Sequence, residues 1–408
     1  MTNRVVVTGM GGITALGHDW ETVNKNLLLG KSCIQKMDDW SIYKDLNTQL
    51  AAPILDFELP SHYNRKKTRS MGRVALLSTR ATEIALEDAG LLDDPLLKSG
   101  EMGISYGSSS GSPVALREFG KMLLEQEMSG ITATSYIRMM SHTTSVNIEV
   151  FFGIKGRIYT SSTACTSGSQ GIGLAYEAIK FGKQKAMIAG GAEELCVTQA
   201  AVFDTLFATS VKNEAPSSTP SPFDKNRDGL VIGEGAATLI LEEYEHAKAR
   251  GATIYAELIG FGLNADGGHV TQPHKETMCI AMQHALNDAI VTPVDIGYVN
   301  GHGTATDRGD IAESHATYQL FSDKTPYSTL KGNTGHTLGA CGAVEAWASI
   351  EMMRQKQFHP TLNLTSVDPE CASLDYIMQK ARVIDTDMVM SNNFAFGGIN
   401  TSLIFKLI

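Results

Sequence analysis

The amino-acid sequence predicts an α/β fold in which strands and helices alternate along the chain. Apolar, β-branched runs such as Val5 to Gly12 and Met102 to Gly111 end in glycine or small polar residues, as buried strands that enter tight loops do. Between them lie helical patterns. Residues 74–89 place Ala75, Leu77, Ala81, Ile84 and Ala85 on one face and are followed by Gly90, a typical helix stop. This alternation indicates the α/β class.

The same pattern continues to the end of the chain. Further strands are predicted at Ile158 to Cys165, Ala186 to Gly191, Ala237 to Leu241, Tyr255 to Gly262, Ile296 to Gly301, Pro326 to Thr329 and Met388 to Phe405. The two halves show a similar order of strands and helices, which suggests a duplication. The boundary between them is predicted in the charged helical stretch Tyr244 to Ile254. We therefore expect an N-terminal half over residues 1–250 and a C-terminal half over residues 251–408.

Composition excludes several classes of protein. With 408 residues, 43% of them hydrophobic and 19% charged, the chain can bury a large core. A net charge of −10 argues against a nucleic-acid-binding surface. The six cysteines lack paired spacing, which predicts reduced thiols and a cytoplasmic protein. The first residues do not resemble a signal peptide, and no apolar run approaches the roughly 18 residues of a membrane-spanning helix, so we expect no membrane insertion.

One cysteine stands in a setting that suits a nucleophile. Cys165 lies among small residues where a predicted strand, ending near Thr160, meets a glycine-rich helix. A helix start offers unpaired N–H groups and the positive end of the macrodipole, which favour a thiolate and can hold an oxyanion. A free cysteine is more commonly a small buried hydrophobe, and that interpretation stays open for Cys165 taken alone.

Two histidines occupy similar positions at predicted strand ends. His302 follows the strand Ile296 to Val299, and His336 follows Pro326 to Leu330; both have glycine neighbours. Either imidazole could simply satisfy buried backbone groups. A metal site of His302 with Asp307 and Asp310 is a further alternative, although the spacing fits no standard ligand pattern.

Six motifs, in order, carry a resemblance to a known family. They are VVVTGMG from Val5, TACTSG around Cys165, PFDKNRDGLVIGEGA (Pro222 to Ala236), GHGTATDRGD from Gly301, KGNTGHTLGACGAVE from Lys331 and NNFAFGGINTSLIF from Asn392. Over essentially the whole chain, the sequence resembles the β-ketoacyl-[acyl-carrier-protein] synthases of the type I/II elongating class. The resemblance implies the thiolase fold, in which two βαβαβαββ halves form a five-layered αβαβα unit. It implies a soluble acyltransferase of fatty-acid or polyketide biosynthesis.

The resemblance also assigns the catalytic residues. It implies a Cys-His-His set of Cys165, His302 and His336, in which the cysteine accepts an acyl group and the imidazoles donate hydrogen bonds to the thioester oxygen of the malonyl substrate. Main-chain N–H groups of Cys165 and Phe396 form the implied oxyanion hole, and Phe396 also gates the site. Lys331 is implied to supply a supporting charge, held by Asp310 and Glu313.

The implied partner is an acyl carrier protein, whose phosphopantetheine arm delivers the acyl group. Thr304 and Thr306 match residues that bind this arm, and no catalytic cofactor or metal is expected. Asn300, Glu345, Ser391 and Asn392 match positions that hold a structural cation in some relatives. Because carrier proteins are acidic, we expect a local basic docking site, with Lys66, Arg69 and Lys212 as candidates. The family implies a homodimer or a heterodimer with a related subunit, in which residues 132–142 reach the neighbouring acyl tunnel.

The chain departs from the family pattern at several positions. Phe207 occupies a position beside the gate where the family usually has an arginine. The family usually has alanine at the position of Gly301, glycine at that of Ala395 and threonine at that of Ile399. Ser110 replaces an isoleucine that partly blocks the acyl pocket of the fatty-acid enzymes. A more open pocket suggests a dedicated pathway that builds a polyketide, aryl polyene or other specialised chain.

Two other functions share this fold. A non-condensing chain-length-factor subunit usually lacks the active cysteine, so Cys165 argues against it. A thiolase that uses coenzyme A carries a second catalytic cysteine near the C-terminus instead of the Asn-Phe-Ala-Phe-Gly-Gly loop, which this chain has at residues 393–398.

Overall fold

The computed structural model describes residues 2–408, and the strands in this range form one large sheet and two small ones. The strands are β1 (Val5–Thr14), β2 (Gln35–Lys36), β3 (Leu50–Ala52), β4 (Met102–Gly107), β5 (Ile158–Ser161), β6 (Ala186–Glu193), β7 (Ile232–Gly233), β8 (Gly235–Glu243), β9 (Ala256–Ala265), β10 (Tyr298–Asn300), β11 (Pro326–Ser328), β12 (Gln357–Phe358), β13 (Asp375–Tyr376), β14 (Arg382–Val383), β15 (Met388–Ala395) and β16 (Ile399–Lys406). All but the short β2, β3, β7, β12 and β14 belong to the large sheet.

Helices connect and cover these strands. They are α1 (Trp20–Leu28), α2 (Arg65–Thr68), α3 (Arg73–Asp88), α4 (Leu96–Ser99), α5 (Pro113–Glu125), α6 (Ala133–Met139), α7 (Thr143–Phe152), α8 (Ser167–Lys180), α9 (Val197–Asp204), α10 (Tyr244–Ala249), α11 (Lys275–Ala289), α12 (Asp307–Phe321), α13 (Lys331–Thr334) and α14 (Cys341–Gln355). The helix predicted over residues 74–89 is α3, and the chain leaves it through Gly90 at a φ of +67°. Glycine adopts that left-handed conformation without strain, which explains the stop.

The large sheet contains the same strand order twice. Its order is β13-β11-β10-β15-β16-β9-β1-β8-β6-β4-β5. If β1, β4, β5, β6 and β8 are numbered one to five, they lie in the order 3-2-4-5-1, and so do β9, β10, β11, β15 and β16. In each set the fifth strand runs antiparallel to the fourth. The predicted duplication is confirmed at the level of topology, whereas the division at residue 250 stays a prediction.

The two half-sheets meet where Val5–Val7 pairs with Ala256–Leu258. Between them lie α8 and α14, whose apolar residues share one core cluster with strands of both halves. α3 and α7 cover the outer face of the N-terminal half-sheet, and α11 and α12 cover that of the C-terminal one. This is the five-layered αβαβα arrangement that the resemblance implies.

Two predicted strands differ from the structure. The run Met388 to Phe405 is a hairpin of β15 and β16, because Phe396–Gly398 form its turn. β5 was expected to be buried, but it is the edge strand of the large sheet, and its Ile158 is 40% exposed. Among the helices of residues 2–408, none has the length and apolarity that crossing a bilayer requires.

Candidate active site

Cys165 lies at the carboxyl end of β5, in the turn that leads into α8. Ala164–Thr166 forms a single 3-10 turn directly before this helix, and the cysteine is only 4% exposed. The Ser167 hydroxyl fixes the turn, since it accepts a hydrogen bond from Thr163 N at 2.9 Å. The sequence therefore predicted correctly that Cys165 stands between a strand and a helix.

Small residues let α8 lie very close to its neighbours. A Cβ at Gly168 would stand 2.9 Å from Ala343 N in α14, and a Cβ at Gly171 would stand 2.9 Å from Gly190 O in β6. Both distances are shorter than real Cβ contacts, so larger residues would push the helix away. The glycines thus hold Cys165 at the base of a pocket between the two half-sheets.

Three polar groups converge on the sulfur of Cys165. Its Sγ lies 3.0 Å from His336 Nε2, and the main-chain N–H groups of Phe396 and of Cys165 itself are near enough to lower the pKa of the thiol. Burial raises the pKa of the thiol to about 11, although the N–H groups and Lys331 oppose this shift. The expectation of a stabilised thiolate is therefore wrong for the resting site, because desolvation of the anion outweighs the helix start.

His302 is anchored by its own main chain. The N–H groups of His302 and Gly303 donate to the two carboxylate oxygens of Glu313, at 2.5 and 2.7 Å. This places the His302 ring perpendicular to that of His336, with centroids 5.1 Å apart. Both histidines emerge beside the sulfur, as their positions after predicted strands indicated.

Contacts of the His302 ring identify its tautomer. Lys331 Nζ lies 3.3 Å from His302 Nδ1. An ammonium group can only donate, so Nδ1 is the acceptor and the proton of the neutral ring is on Nε2. Burial is the main cause that lowers the pKa of both His302 and His336 well below the ordinary value, and Lys331 lowers it further. Both imidazoles are therefore neutral near pH 7.

The partner of Lys331 differs from the expectation. Its ammonium group donates to Glu345 Oε1 and to His302 O, each at 2.5 Å, and it is 1% exposed. Burial alone would lower the pKa of Lys331, but Glu345, Cys341 and Glu313 together outweigh it and the pKa is raised. The prediction that Asp310 and Glu313 hold this lysine was wrong for the direct contact, since Glu345 of α14 supplies the carboxylate, although Glu313 also raises the pKa of Lys331.

Asp310 instead shapes the loop that carries His302. Its carboxylate accepts hydrogen bonds from the N–H groups of Phe223, Thr304 and Ala305, at 2.7 to 3.1 Å. Arg227 lies 3.7 Å away, yet burial raises the pKa of Asp310 to about 7. Asp310 and Glu313 thus both position main-chain atoms near the site.

The catalytic candidates open into a cavity of about 500 Å³. Predicted site residues that line it are Cys165, His302, Thr304, Thr306, Glu313, His336 and Phe396. The hydroxyls of Thr304 and Thr306 lie 2.9 Å apart, and the cavity extends from them to the sulfur. The structure therefore brings the expected nucleophile, imidazoles, gate and arm-binding threonines into one space.

Other predicted residues lie outside this cavity. Lys66 and Arg69 are exposed in and beside α2. Lys212 forms a salt bridge of 3.4 Å with Asp228, a lining residue. Ser110 is half-buried, and its hydroxyl donates to Glu193 and accepts from Gln199. The docking roles of the three cations and the acyl-pocket role of Ser110 stay predictions.

Comparison with known proteins assigns the family. The sequence model of the β-ketoacyl synthase N-terminal domain matches residues 2–247, and that of the C-terminal domain matches residues 255–365. The chain belongs to the β-ketoacyl synthase family. The 3-oxoacyl-[acyl-carrier-protein] synthase 2 of Vibrio harveyi is 36% identical over 413 residues, which span 99% of each chain.

Solved structures resemble this synthase along its full length. A β-ketoacyl synthase from Burkholderia phymatum STM815 is 58% identical and superposes with a TM-score of 0.98, covering 100% of both chains. The ishigamide ketosynthase/chain length factor is 29% identical with a TM-score of 0.91, again over 100% of both chains. These likenesses support the thiolase fold.

The loop that is expected to act as a gate is the turn between β15 and β16. The Phe396 ring is half-buried and lies 6.0 Å from that of Phe203, edge to face. Gly397 and Gly398 adopt φ values of +95° and +74°, which a residue with a Cβ rarely adopts. Gly397 N donates to Val270 O at 2.9 Å, so this turn is connected to a second loop at the cavity mouth.

Sequence reasoning did not identify two polar groups of the synthase site. Asn393 donates to Glu345 Oε2 at 2.7 Å and lies 3.4 Å from His302 Nδ1. Cys341 Sγ donates to Cys165 O at 3.1 Å, although this cysteine had been given no functional setting. Both residues lie inside the motifs that carry the resemblance, and their place in those motifs was the one sequence feature that could have pointed to them.

Two groups of side chains have spacings that a metal ion could use. The donor atoms of Cys165, His302 and His336 lie within 4.8 Å of one another, and so do those of His302, Cys341 and Glu345. The buried ammonium of Lys331 lies 3.3 Å from His302 Nδ1 and repels a cation there.

Some of the residues at positions that hold a structural cation in certain relatives lie close to one another. Asn300 Nδ2 donates to Ser391 Oγ at 3.3 Å, and Asn392 Oδ1 accepts from Ser402 at 2.7 Å. The carboxylate of Glu345 accepts from Lys331 and Asn393. Its charge is thus already compensated by the lysine.

Proposed function

We propose that this synthase condenses an acyl group held on Cys165 with malonyl-[acyl-carrier protein], giving β-ketoacyl-[acyl-carrier protein] and CO₂. The observation that carries the proposal is the surroundings of one sulfur atom. Cys165 Sγ lies 3.0 Å from His336 Nε2 and faces two main-chain N–H groups, at the end of a cavity about 500 Å³ in volume. Relatives named 3-oxoacyl-[acyl-carrier-protein] synthases support the substrate class.

Acyl transfer to Cys165 requires removal of the thiol proton. The imidazole of His336 is neutral and its Nε2 is in hydrogen-bond range of the sulfur, so it accepts that proton as the sulfur attacks the thioester. The tetrahedral oxyanion is then held by the N–H groups of Cys165 and Phe396. Collapse breaks the bond to the carrier's sulfur, which leaves as the thiol after protonation.

Condensation uses the imidazole of His302 as a hydrogen-bond donor. When malonyl-carrier binds, its C–CO₂ bond breaks, and the electron pair forms an enolate whose oxygen gains negative charge. His302 directs Nε2–H into the cavity because Lys331 occupies Nδ1. The enolate carbon attacks the acyl carbonyl, the carbon–sulfur bond breaks, and the Cys165 thiolate regains a proton. No strong base is needed, because CO₂ departs instead of a proton.

The two half-reactions can be tested separately. Intact-mass analysis with acyl-carrier thioesters is expected to show one acyl group on the enzyme, and none on Cys165→Ala. Cys341→Ala is the matched control, because its thiol lies beside the site and should not hold the acyl group. His302→Ala should still be acylated but should condense about 10²–10³ times more slowly, as removal of one donor predicts. No acylation with any acyl group would contradict the proposal.

We propose that the synthase works as a dimer, either with itself or with a related subunit. The edge of the large sheet at β5 is unpaired within residues 2–408, and α5 exposes apolar residues such as Leu123 and Leu124. An open sheet edge and an exposed apolar helix face each favour a protein partner. Light scattering of the purified chain, alone and with a co-expressed ketosynthase-fold subunit, distinguishes these states.

We also propose that the synthase serves a specialised pathway. Support comes from Ser110, which is smaller than the isoleucine of fatty-acid enzymes, and from the structural likeness to a ketosynthase/chain length factor of ishigamide. Extension of saturated, polyunsaturated and aryl-primed acyl carriers should be compared. A clear preference for saturated medium chains would contradict this assignment.

A further inference from the structure

The mouth of the active-site cavity presents exposed apolar side chains. Leu206, Phe207 and Val270 line the cavity and are 41%, 88% and 57% exposed. Leu206 and Phe207 follow α9, whereas Val270 comes from the loop that contacts the gate turn. Apolar groups from separate segments therefore surround the opening through which a substrate must pass.

Phe207 is held in this position by its backbone. Its φ is +53°, and its N–H donates to Asp204 O at 2.9 Å as the chain leaves α9. This left-handed conformation costs a residue with a Cβ roughly 1–2 kcal/mol of conformational free energy. A ring that stays exposed to solvent gains little hydrophobic stabilisation to offset that cost. Local folding therefore does not explain a phenylalanine here, whereas contact with a bound partner does.

The same mouth carries a cation that is free to bind an anion. Arg308 lines the cavity and is exposed. Its neighbour Asp307 pairs with Arg227 at 3.3 Å, and no carboxylate of residues 2–408 forms a salt bridge with Arg308. An exposed guanidinium presents a planar fork of donors that matches a phosphate group.

We infer that Phe207 and Arg308 select the carrier protein that this synthase accepts. Phe207 receives an apolar side chain of the carrier's contact helix, beside the attachment point of the arm, and Arg308 binds the arm's phosphodiester. The arm carries its charge at the end next to the carrier, so that charge stays at the mouth when the thioester reaches Cys165. This inference rests on the proposed function and names the partner surface of the same site.

The role of Phe207 can be tested by exchanging one contact. Two acyl donors are compared. The first is a hexanoyl group on a fatty-acid-type carrier protein that has an acidic contact helix. The second is the same group on a variant of that carrier in which one acidic residue of the contact helix is replaced by leucine. Wild-type enzyme should acylate faster from the leucine carrier, by roughly tenfold in kcat/KM, which is typical for an interface anchor. Phe207→Arg should reverse this preference.

Two controls separate docking from chemistry. Ile290→Arg changes another exposed apolar residue, 90% exposed at a φ of +57°, which does not line the cavity, and it should leave the preference unchanged. Hexanoyl-N-acetylcysteamine, which lacks a carrier, should acylate wild type and Phe207→Arg equally. An unchanged carrier preference in Phe207→Arg, or an equal loss with the carrier-free thioester, would overturn the inference. Failure of wild type to acylate from every donor would instead overturn the proposed function.

Arg308 is tested with arms that differ only in the phosphate. Arg308→Ala should raise the KM for hexanoyl-phosphopantetheine by about fivefold to tenfold, as loss of one charge-assisted contact predicts. It should leave the KM for hexanoyl-pantetheine unchanged. Lys380→Ala removes another exposed cation away from the cavity and should change neither value. Equal changes with both arms would show that Arg308 does not bind the phosphate and would overturn its assignment.

Discussion

At the residue scale, burial determines the resting state of Cys165. Its pKa is raised to about 11 by desolvation, and the pKa of His336 is lowered well below the ordinary value, so the pair rests as thiol and neutral imidazole. In the proposed mechanism, a thiolate forms only as a proton moves to His336 during attack. The sequence predicted Cys165 as the nucleophile from its strand-to-helix position, but the degree of desolvation depends on how completely distant elements cover the thiol.

This resting state predicts the pH dependence of alkylation. Below the pKa the thiolate fraction rises tenfold per pH unit, so the rate of iodoacetamide modification of Cys165 should rise about tenfold per unit from pH 7 to 10. The rate is measured by intact mass, with Cys165→Ala as the background. A rate that levels off near pH 6 would instead show a stable thiolate–imidazolium pair.

The buried pair of Lys331 and Glu345 predicts an effect on stability. Glu345→Gln leaves the ammonium group without its counter-charge, and breaking a buried ion pair typically lowers the free energy of unfolding by about 3–5 kcal/mol. Urea denaturation measures the loss. The double variant Lys331→Met/Glu345→Gln removes both charges, so it should lose less than Glu345→Gln alone; an equal or larger loss would contradict the ion-pair explanation.

This pair also marks a limit of sequence reasoning at the residue scale. Lys331 and Glu345 stand 14 positions apart on α13 and α14, whereas the expected partners Asp310 and Glu313 are on α12. Three buried carboxylates were thus available in or just after the quoted motifs. Their assignment depends on how α12 and α14 approach α13, which no local pattern contains.

At the element scale, the glycines of α8 are explained by close packing. This helix combines several glycines with small residues, and most of its residues are buried. Strand burial was harder to predict. β5 was predicted as a buried strand yet forms the sheet edge, because within residues 2–408 it pairs with a strand on one side only.

Two alanine substitutions separate packing from helix propensity. A Cβ at Gly173 in α8 would stand 2.3 Å from the Phe261 ring, so Gly173→Ala should lower the free energy of unfolding by about 1–3 kcal/mol through overpacking. Gly120 in α5 has open space around a Cβ, so Gly120→Ala should raise it by up to about 1 kcal/mol. Urea denaturation measures both, and stabilisation by Gly173→Ala would contradict the packing argument.

At the scale of the whole molecule, the alternation of strands and helices predicted the α/β class, and the repeated order of these elements predicted the duplication. The shared strand order 3-2-4-5-1 could not be obtained from local patterns, because strand order is set by which helices cover which sheet face. The resemblance supplied that arrangement as a family property. The junction of the halves at β1 and β9 then places α8 and α14, and with them Cys165 and Glu345, in the shared central layer.

A buried carboxylate beside this junction predicts how the stability of the whole chain depends on pH. Glu242 in β8 accepts hydrogen bonds from Thr8 in β1 and from Arg250, and lies 2.8 Å from His246 Nδ1. Burial alone would raise the pKa of Glu242, but these partners together lower it. A lowered folded-state pKa contributes stability that is fully present above the unfolded-state pKa, about 4.3, and is lost as the pH falls through the folded-state pKa.

Glu242→Gln tests this contribution. At pH 7 the variant should unfold at a lower temperature than wild type, because Arg250 loses a buried counter-charge and the network loses a charged acceptor. Below about pH 4.3 the difference should shrink, because Glu242 then takes up a proton in unfolded wild type before it does so in the folded chain, which lowers the stability of wild type. Thermal unfolding at pH 7, 5 and 3.5 measures the trend. A difference that stays constant over this range would show that the side chain acts through packing and not through its charge.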